Sequence, residues 1–236
     1  MMVIDCGLFL FTAAAIKLLL DKLTVTDLIY DLVNDTFSKL GESSQYNIVL
    51  GHSKTLSKKN ITLDLRMFPS LSITGISGSG KTKMVQYILQ HTSLKILLIN
   101  AYKDDYGDLE CTRINNITEI ETFLDEALEG NNKEPLLVVF DECLTLLSYK
   151  GIAKKLHTLL TKNRHMDLYV ICIFQELNKS VVAFKSLFTA RVVLRQIQKS
   201  DVDSALGTTL EEYKPLKNRE FILLSDDVYM GKTYFV

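Results

Sequence analysis

The 236-residue chain reads as an α/β protein: a mainly parallel sheet flanked by helices. Three observations predict this. From residue 71 onward, short runs rich in Val, Ile and Leu alternate with stretches of helical periodicity. The runs, such as Leu136–Phe140 and Leu168–Phe174, have no polar alternation, which suits parallel strands buried on both faces. One run leads directly into a glycine-rich loop and then a helical stretch, the order found in βαβ units.

Taken in order, residues 18–40 read as a helix, with Leu20, Leu23, Leu28, Ile29 and Leu32 at helical spacing. Gly41-Glu-Ser-Ser44 breaks that pattern, dividing an N-terminal helical segment, 1–44, from the rest, 45–236. Asn47–Leu50 and Ile61–Leu65 read as short strands around a lysine-rich turn, His52–Asn60, taken as a solvated hairpin rather than a nucleic-acid contact. Further strands are expected at Leu71–Thr74, Lys95–Asn100, Leu136–Phe140, Leu168–Phe174 and Ala190–Leu194. Phe221–Leu224 is expected as the last core strand. Helices are expected at Lys81–His91, Ile117–Glu129, Ile152–Asn163, Val181–Phe188 and Asp201–Leu206.

Composition fits a folded chain: 47% of residues are hydrophobic and 23% charged, so neither disorder nor a multi-span membrane protein is indicated. The net charge of −1 does not advertise nucleic acid, though a local basic patch is what matters there. Cys6, Cys111, Cys143 and Cys172 form no Cys-x-x-Cys pair; free thiols suit a reducing, cytoplasmic setting. The uncharged run Cys6–Ile16 is 11 residues long, against about 20 for a spanning helix. It reads as a docking or core helix, with membrane association through residues 6–20 as the alternative.

The loop Gly75–Thr82 matches G-x-x-x-x-G-K-[ST], the phosphate-binding P-loop. Backbone N–H groups of Gly75, Ile76, Ser77, Gly78, Ser79 and Gly80 are expected to curl around phosphate oxygens, aided by the helix dipole. Lys81 reaches the β and γ phosphates of ATP, and the Thr82 hydroxyl holds Mg²⁺. Met84, in the following turn, completes the expected nucleotide-binding set. Pro135–Glu142 places two carboxylates at a strand end: Asp141 for the Mg²⁺ shell and Glu142 to activate water. Leu168–Gln175 is a buried run ending in an amide, and Gln175 can sense the nucleotide or position water if its strand neighbours that of Asp141. Arg191 and Arg195 bracket a strand, and either can serve as an arginine finger; edge-strand salt bridges are the alternative for both. Arg191 is favoured because it opens the strand near the expected rim.

From about Asn47 to the end, the chain resembles the motor domain of the FtsK/HerA superfamily of DNA-pumping ATPases. The likeness rests on Phe68-Pro-Ser-Leu-Ser-Ile-Thr followed by the P-loop, Val138-Val-Phe-Asp-Glu142, and Asn163–Gln175. It continues through Phe184–Arg195, Ser200–Gly207 and Phe221-Ile-Leu-Leu224. Phe174-Gln175 departs from the Thr-Gln usual in that family. The resemblance implies a RecA-like P-loop NTPase fold, ATP hydrolysis with Mg²⁺, double-stranded DNA as partner, and a homo-oligomeric, hexameric ring. The long membrane region and winged-helix domain of cell-division translocases are not seen, so the expectation is a viral genome-packaging ATPase, working with capsid-vertex or membrane proteins. A conjugative plasmid-transfer pump and a filamentous-phage assembly ATPase are the alternatives.

Overall fold

A computed structural model of the protein describes residues 45–54, 58–107, 109–130, 132, 134–175 and 184–235. The helix expected at 18–40, the apolar run at 6–20, and residues 181–183 of the helix expected at Val181–Phe188 lie outside these residues.

Ten strands form one sheet: β1 (Asn47–Ser53), β2 (Asn60–Asp64), β3 (Ser70–Thr74), β4 (Lys95–Ile99), β5 (Thr112–Ile114), β6 (Leu136–Phe140), β7 (Leu168–Phe174), β8 (Ala190–Leu194), β9 (Glu220–Leu224) and β10 (Val228–Lys232). Five helices accompany them among the described residues: α1 (Lys81–His91), α2 (Ile117–Leu128), α3 (Cys143–Leu147), α4 (Lys150–Lys162) and α5 (Lys199–Leu206). Their order across the sheet is β2-β1-β10-β9-β8-β3-β7-β6-β4-β5. The block from β8 to β5 is parallel, whereas β9, β10, β1 and β2 pair antiparallel with their neighbours. The α/β fold with a mainly parallel sheet is therefore the one the sequence predicts. Two strands lie outside those expected: the edge strand β5, and β10, whose first three residues are exposed and which follows Phe221–Leu224, the last core strand.

The burial explains the architecture. Every residue of β3 and β7 is buried, so apolar side chains serve both faces. On one face, Leu71, Ile73, Ile171, Val192 and Leu194 pack with Met84, Val85, Ile88 and Leu89 of α1. On the other, Val138, Phe140, Val170 and Cys172 pack with Leu124 of α2, Leu146 of α3 and Leu156 and Leu159 of α4. Further along that second face, Val193 of β8 and Ile222 of β9 meet Val202 and Leu206 of α5. Each fully buried aliphatic side chain contributes about 1.5–3 kcal/mol of hydrophobic stabilisation. Cys143 and Cys172 are buried thiols in this second layer, as their apolar surroundings predict. Among the described residues, no helix is long and apolar enough to cross a membrane.

Candidate active site

The glycine-rich loop leaves the C-terminal end of β3 and enters α1, and its own backbone is held by the strands on either side. Gly75 N–H donates to Phe174 O at the end of β7 (3.3 Å), and Ile76 N–H to Arg195 O just past β8 (3.1 Å). At the loop's other end, Arg219 N–H donates to Ser79 O (2.9 Å) from the residue before β9. Gly80 turns the chain into α1 with φ 105°, a left-handed conformation that glycine adopts without steric cost.

This tethering divides the expected nucleotide-binding set. Ser77, Gly78, Gly80, Lys81 and Thr82 line a cleft of about 350 Å³ together with Lys83, Asp105, Asp141, Glu142, Ile173 and Gln175. The N–H groups of Gly75 and Ile76 are spent on strand carbonyls, and Ser79 N–H donates to Ile76 O (3.2 Å). Those three residues build the loop rather than face the cleft. Met84 is a second correction: its side chain is fully buried against the sheet and cannot touch a nucleotide. Its spacing within the motif gave no sign of this, because α1 turns that position inward.

Lys81 is buried, and its Nζ donates to Gly75 O (2.6 Å) and Ile76 O (3.1 Å). Burial lowers its pKa, opposed by the charges of Asp141 and Glu142. The ammonium is thus held beneath the loop by two of its carbonyls, with the carboxylates near enough to favour its charge.

Those carboxylates stand at the end of β6, two strands from β3, because β7 intervenes. Asp141 is 6% exposed, and burial pushes its carboxyl above the ordinary range, opposed by its hydrogen bonds. Oδ2 accepts from the Tyr106 hydroxyl (2.8 Å) and Oδ1 from Glu142 N–H (2.8 Å). Its backbone is fixed as well, with its N–H on Ile99 O (2.9 Å) and Asn100 Nδ2 on its carbonyl (3.2 Å). Glu142 has φ 44° and ψ 48°, left-handed backbone that costs a side-chain-bearing residue about 1–3 kcal/mol. Gln175 Nε2 donates to Glu142 Oε1 (2.8 Å). The condition set on Gln175 is met: β7 pairs with β6, and the amide meets the carboxylate directly.

The arginines part company. β8 runs parallel to β3, with Arg191 opposite Ser72, so the loop end of β8 is the Arg195 end. The preference for Arg191 is corrected on that ground. Its Nη1 donates to Leu206 O at the end of α5, and burial lowers its pKa. Arg195 has its carbonyl on the loop, accepting from Ile76 N–H.

No family model matches the chain, and no curated protein does. Solved structures do. The pCW3 conjugation coupling protein TcpA matches with a TM-score of 0.69 at 17% identity, over 82% of this chain and 67% of TcpA. The cytoplasmic domain of the Thermomonospora curvata type VII secretion ATPase EccC matches with a TM-score of 0.66 at 17% identity, over 83% of this chain and 29% of that one. The genome-packaging NTPase B204 of Sulfolobus turreted icosahedral virus 2 matches with a TM-score of 0.53 at 14% identity, over 71% of this chain and 98% of B204.

The fold is the one that these three structures share. The FtsK/HerA likeness read from the sequence is matched at the level of the fold, and the chain spans less than half of EccC. Within this fold, Tyr106, Asp105, Arg219, Lys83 and Ile173 escaped the sequence reading. Tyr106 and Asp105 follow β4 in a 3-10 turn whose sequence carries no motif, and Arg219 sits far along the chain in a loop. A strand followed by an acidic turn beside the Asp141 strand was the signal for the first two, legible only once strand order is known.

Proposed function

We propose that this chain is an ATP-hydrolysing motor that translocates double-stranded DNA, and that it packages a viral genome. The observation that carries the hydrolytic reading is the Gln175–Glu142 hydrogen bond beside Lys81 and Asp141. A carboxylate held by a neutral amide suits attack by water; a kinase site needs a bound acceptor instead.

In this reading Lys81 and the N–H groups of Ser77, Gly78, Gly80, Lys81 and Thr82 carry the β and γ phosphates. Glu142 takes the proton of the attacking water, and Gln175 fixes the carboxylate's direction. Asp141 and Thr82 supply the oxygen donors that Mg²⁺ prefers. Bound there, Mg²⁺ would neutralise charge on the phosphates. The relatives' own structures support nucleotide binding: those of TcpA and B204 hold ATPγS.

Packaging is favoured because the B204 fold is contained here over 98% of its length. Conjugative transfer is the second reading, favoured by the higher TM-score of TcpA, 0.69. A homo-oligomeric ring, hexameric by resemblance, belongs to both. The test is phosphate release from ATP and Mg²⁺ with and without linear double-stranded DNA. Stimulation by DNA supports the motor. Steady hydrolysis indifferent to DNA but raised by a protein substrate would move the chain to the secretion class.

A further inference from the structure

We propose that Arg219 and Phe235 form a stacking platform for the base of the bound nucleotide, and that the base is a purine. This rests on the nucleotide-binding reading above and names a subsite which that reading leaves open. The sheet order locates it. Asp141 and Glu142 come from β6 and Gln175 from β7, all on one side of β3. They mark the γ-phosphate end of the cleft. A nucleotide crossing the loop from there carries its nucleoside to the opposite side, over β8 and β9. Arg219, the residue before β9, stands on that side.

Arg219 is tied to the loop itself. Its N–H holds Ser79 O at 2.9 Å, and its Cγ lies 3.3 Å from where a Cβ on Gly80 would sit. Its Cζ lies over the Phe235 ring, 3.2 Å from the centroid. The arrangement is fixed by Arg219 Nη2 on Thr233 O (3.0 Å) and Thr233 N–H on Arg219 O (2.9 Å). Phe235 is nevertheless 72% exposed, so the phenyl contributes little to the core and keeps an open face. Ile197, 81% exposed, stands beyond the same end of the neighbouring strand and offers an apolar flank. Rigid aromatic and guanidinium planes are what a base stacks on, and the larger π-surface of a purine gains more from them than a pyrimidine does.

A surface cation–π pair with no ligand is the competing account, and a phosphate-only ligand separates the two. Binding of ATP, UTP and inorganic tripolyphosphate is measured by calorimetry with Mg²⁺ on the full chain and on Phe235→Ala and Phe235→Trp. The expected result is about a 10-fold weaker affinity for ATP in Phe235→Ala, from the usual worth of base–aromatic stacking. Tripolyphosphate affinity stays unchanged, Phe235→Trp keeps ATP affinity, and the preference for ATP over UTP shrinks in Phe235→Ala. Unchanged ATP affinity in Phe235→Ala overturns the platform, as does equal weakening of ATP and tripolyphosphate, which signals a damaged loop. If the unaltered chain binds neither, the nucleotide reading itself fails, an outcome distinct from failure of the platform alone.

Discussion

Glu142 and Tyr106 act on the same few atoms in different ways, and single substitutions separate them. Glu142→Gln keeps volume and the left-handed turn but removes the proton acceptor. ATP should still bind, while turnover falls on the order of 10²–10⁴-fold, the range for a positioned general base. Equal losses in KM-derived binding and in kcat would assign Glu142 to structure instead. Tyr106→Phe deletes one hydroxyl and leaves the ring in its buried place beside α1 and β4. It frees Asp141 Oδ2 from its 2.8 Å hydrogen bond, so the carboxylate loses its fixed direction while keeping its charge. We expect nucleotide binding without metal to be unchanged, and the Mg²⁺ concentration needed for half-maximal turnover to rise several-fold. An unaltered Mg²⁺ requirement would leave Tyr106 with a packing role only. Tyr106 could not be found from the sequence because no spacing ties it to Asp141; 35 residues and two strands separate the partners. Lys81, Thr82, Asp141 and Glu142 were legible because phosphate and metal chemistry restricts residue type at fixed offsets from a strand end.

Strands that are buried on both faces announce themselves, and those at the margins do not. β3, β6, β7 and β8 were legible because their apolar runs are continuous. β5 is a three-residue edge strand without a buried residue, and β10 begins with three exposed ones, Val228, Tyr229 and Met230. Neither offers a run to read. α3 is five residues long, too short for helical periodicity to register. Within the antiparallel margin, β1 approaches β10 closely at Gly51, next to a register shift between Val49 and Gly51. A Cβ there would overlap the carbonyl oxygen of Lys232 in β10 and lie 2.9 Å from the Phe221 ring. Gly51→Ala should therefore destabilise the fold by about 1–3 kcal/mol, the usual cost of overpacking, read as a lower urea midpoint with an unchanged slope. A midpoint within error of the unaltered chain would mean that β1 and β10 separate easily.

At the scale of the whole molecule, the ring model turns on Arg195. It stands at the loop end of β8, where its carbonyl already holds Ile76 N–H of the loop. Arg191, committed to the end of α5, is expected to matter for stability and not for turnover. If Arg195 completes a neighbouring subunit's site, Arg195→Ala alone should lose about 10³–10⁵ in rate while still binding ATP. Mixed with Lys81→Ala chains, which fail at the phosphates, it should regain part of the activity, since some interfaces unite an intact loop with an intact arginine. No recovery in rings shown to contain both chains would place Arg195 in cis. What the sequence could not supply here was strand order. The two arginines are equivalent along the chain, and only the parallel pairing of β8 with β3 tells which one is near the loop.

The anchoring of the loop by Phe174, Arg195 and Arg219 also sets how the molecule breathes. Arg219 offers its N–H to Ser79 and its carbonyl to Thr233 N–H, so the phosphate cradle and the last residues of the described chain open as one unit. Amide hydrogen exchange should show this directly. The protons of Ile76, Arg219 and Thr233 should share one opening rate and slow together when ATP is added, by about 100-fold at a concentration 100 times Kd. Slowing confined to Ile76 would mean that the loop opens without its anchors. Shared slowing would make the segment after β10 a mechanical readout of nucleotide occupancy, able to pass each binding and release event to β1 and β9, which flank β10 in the sheet.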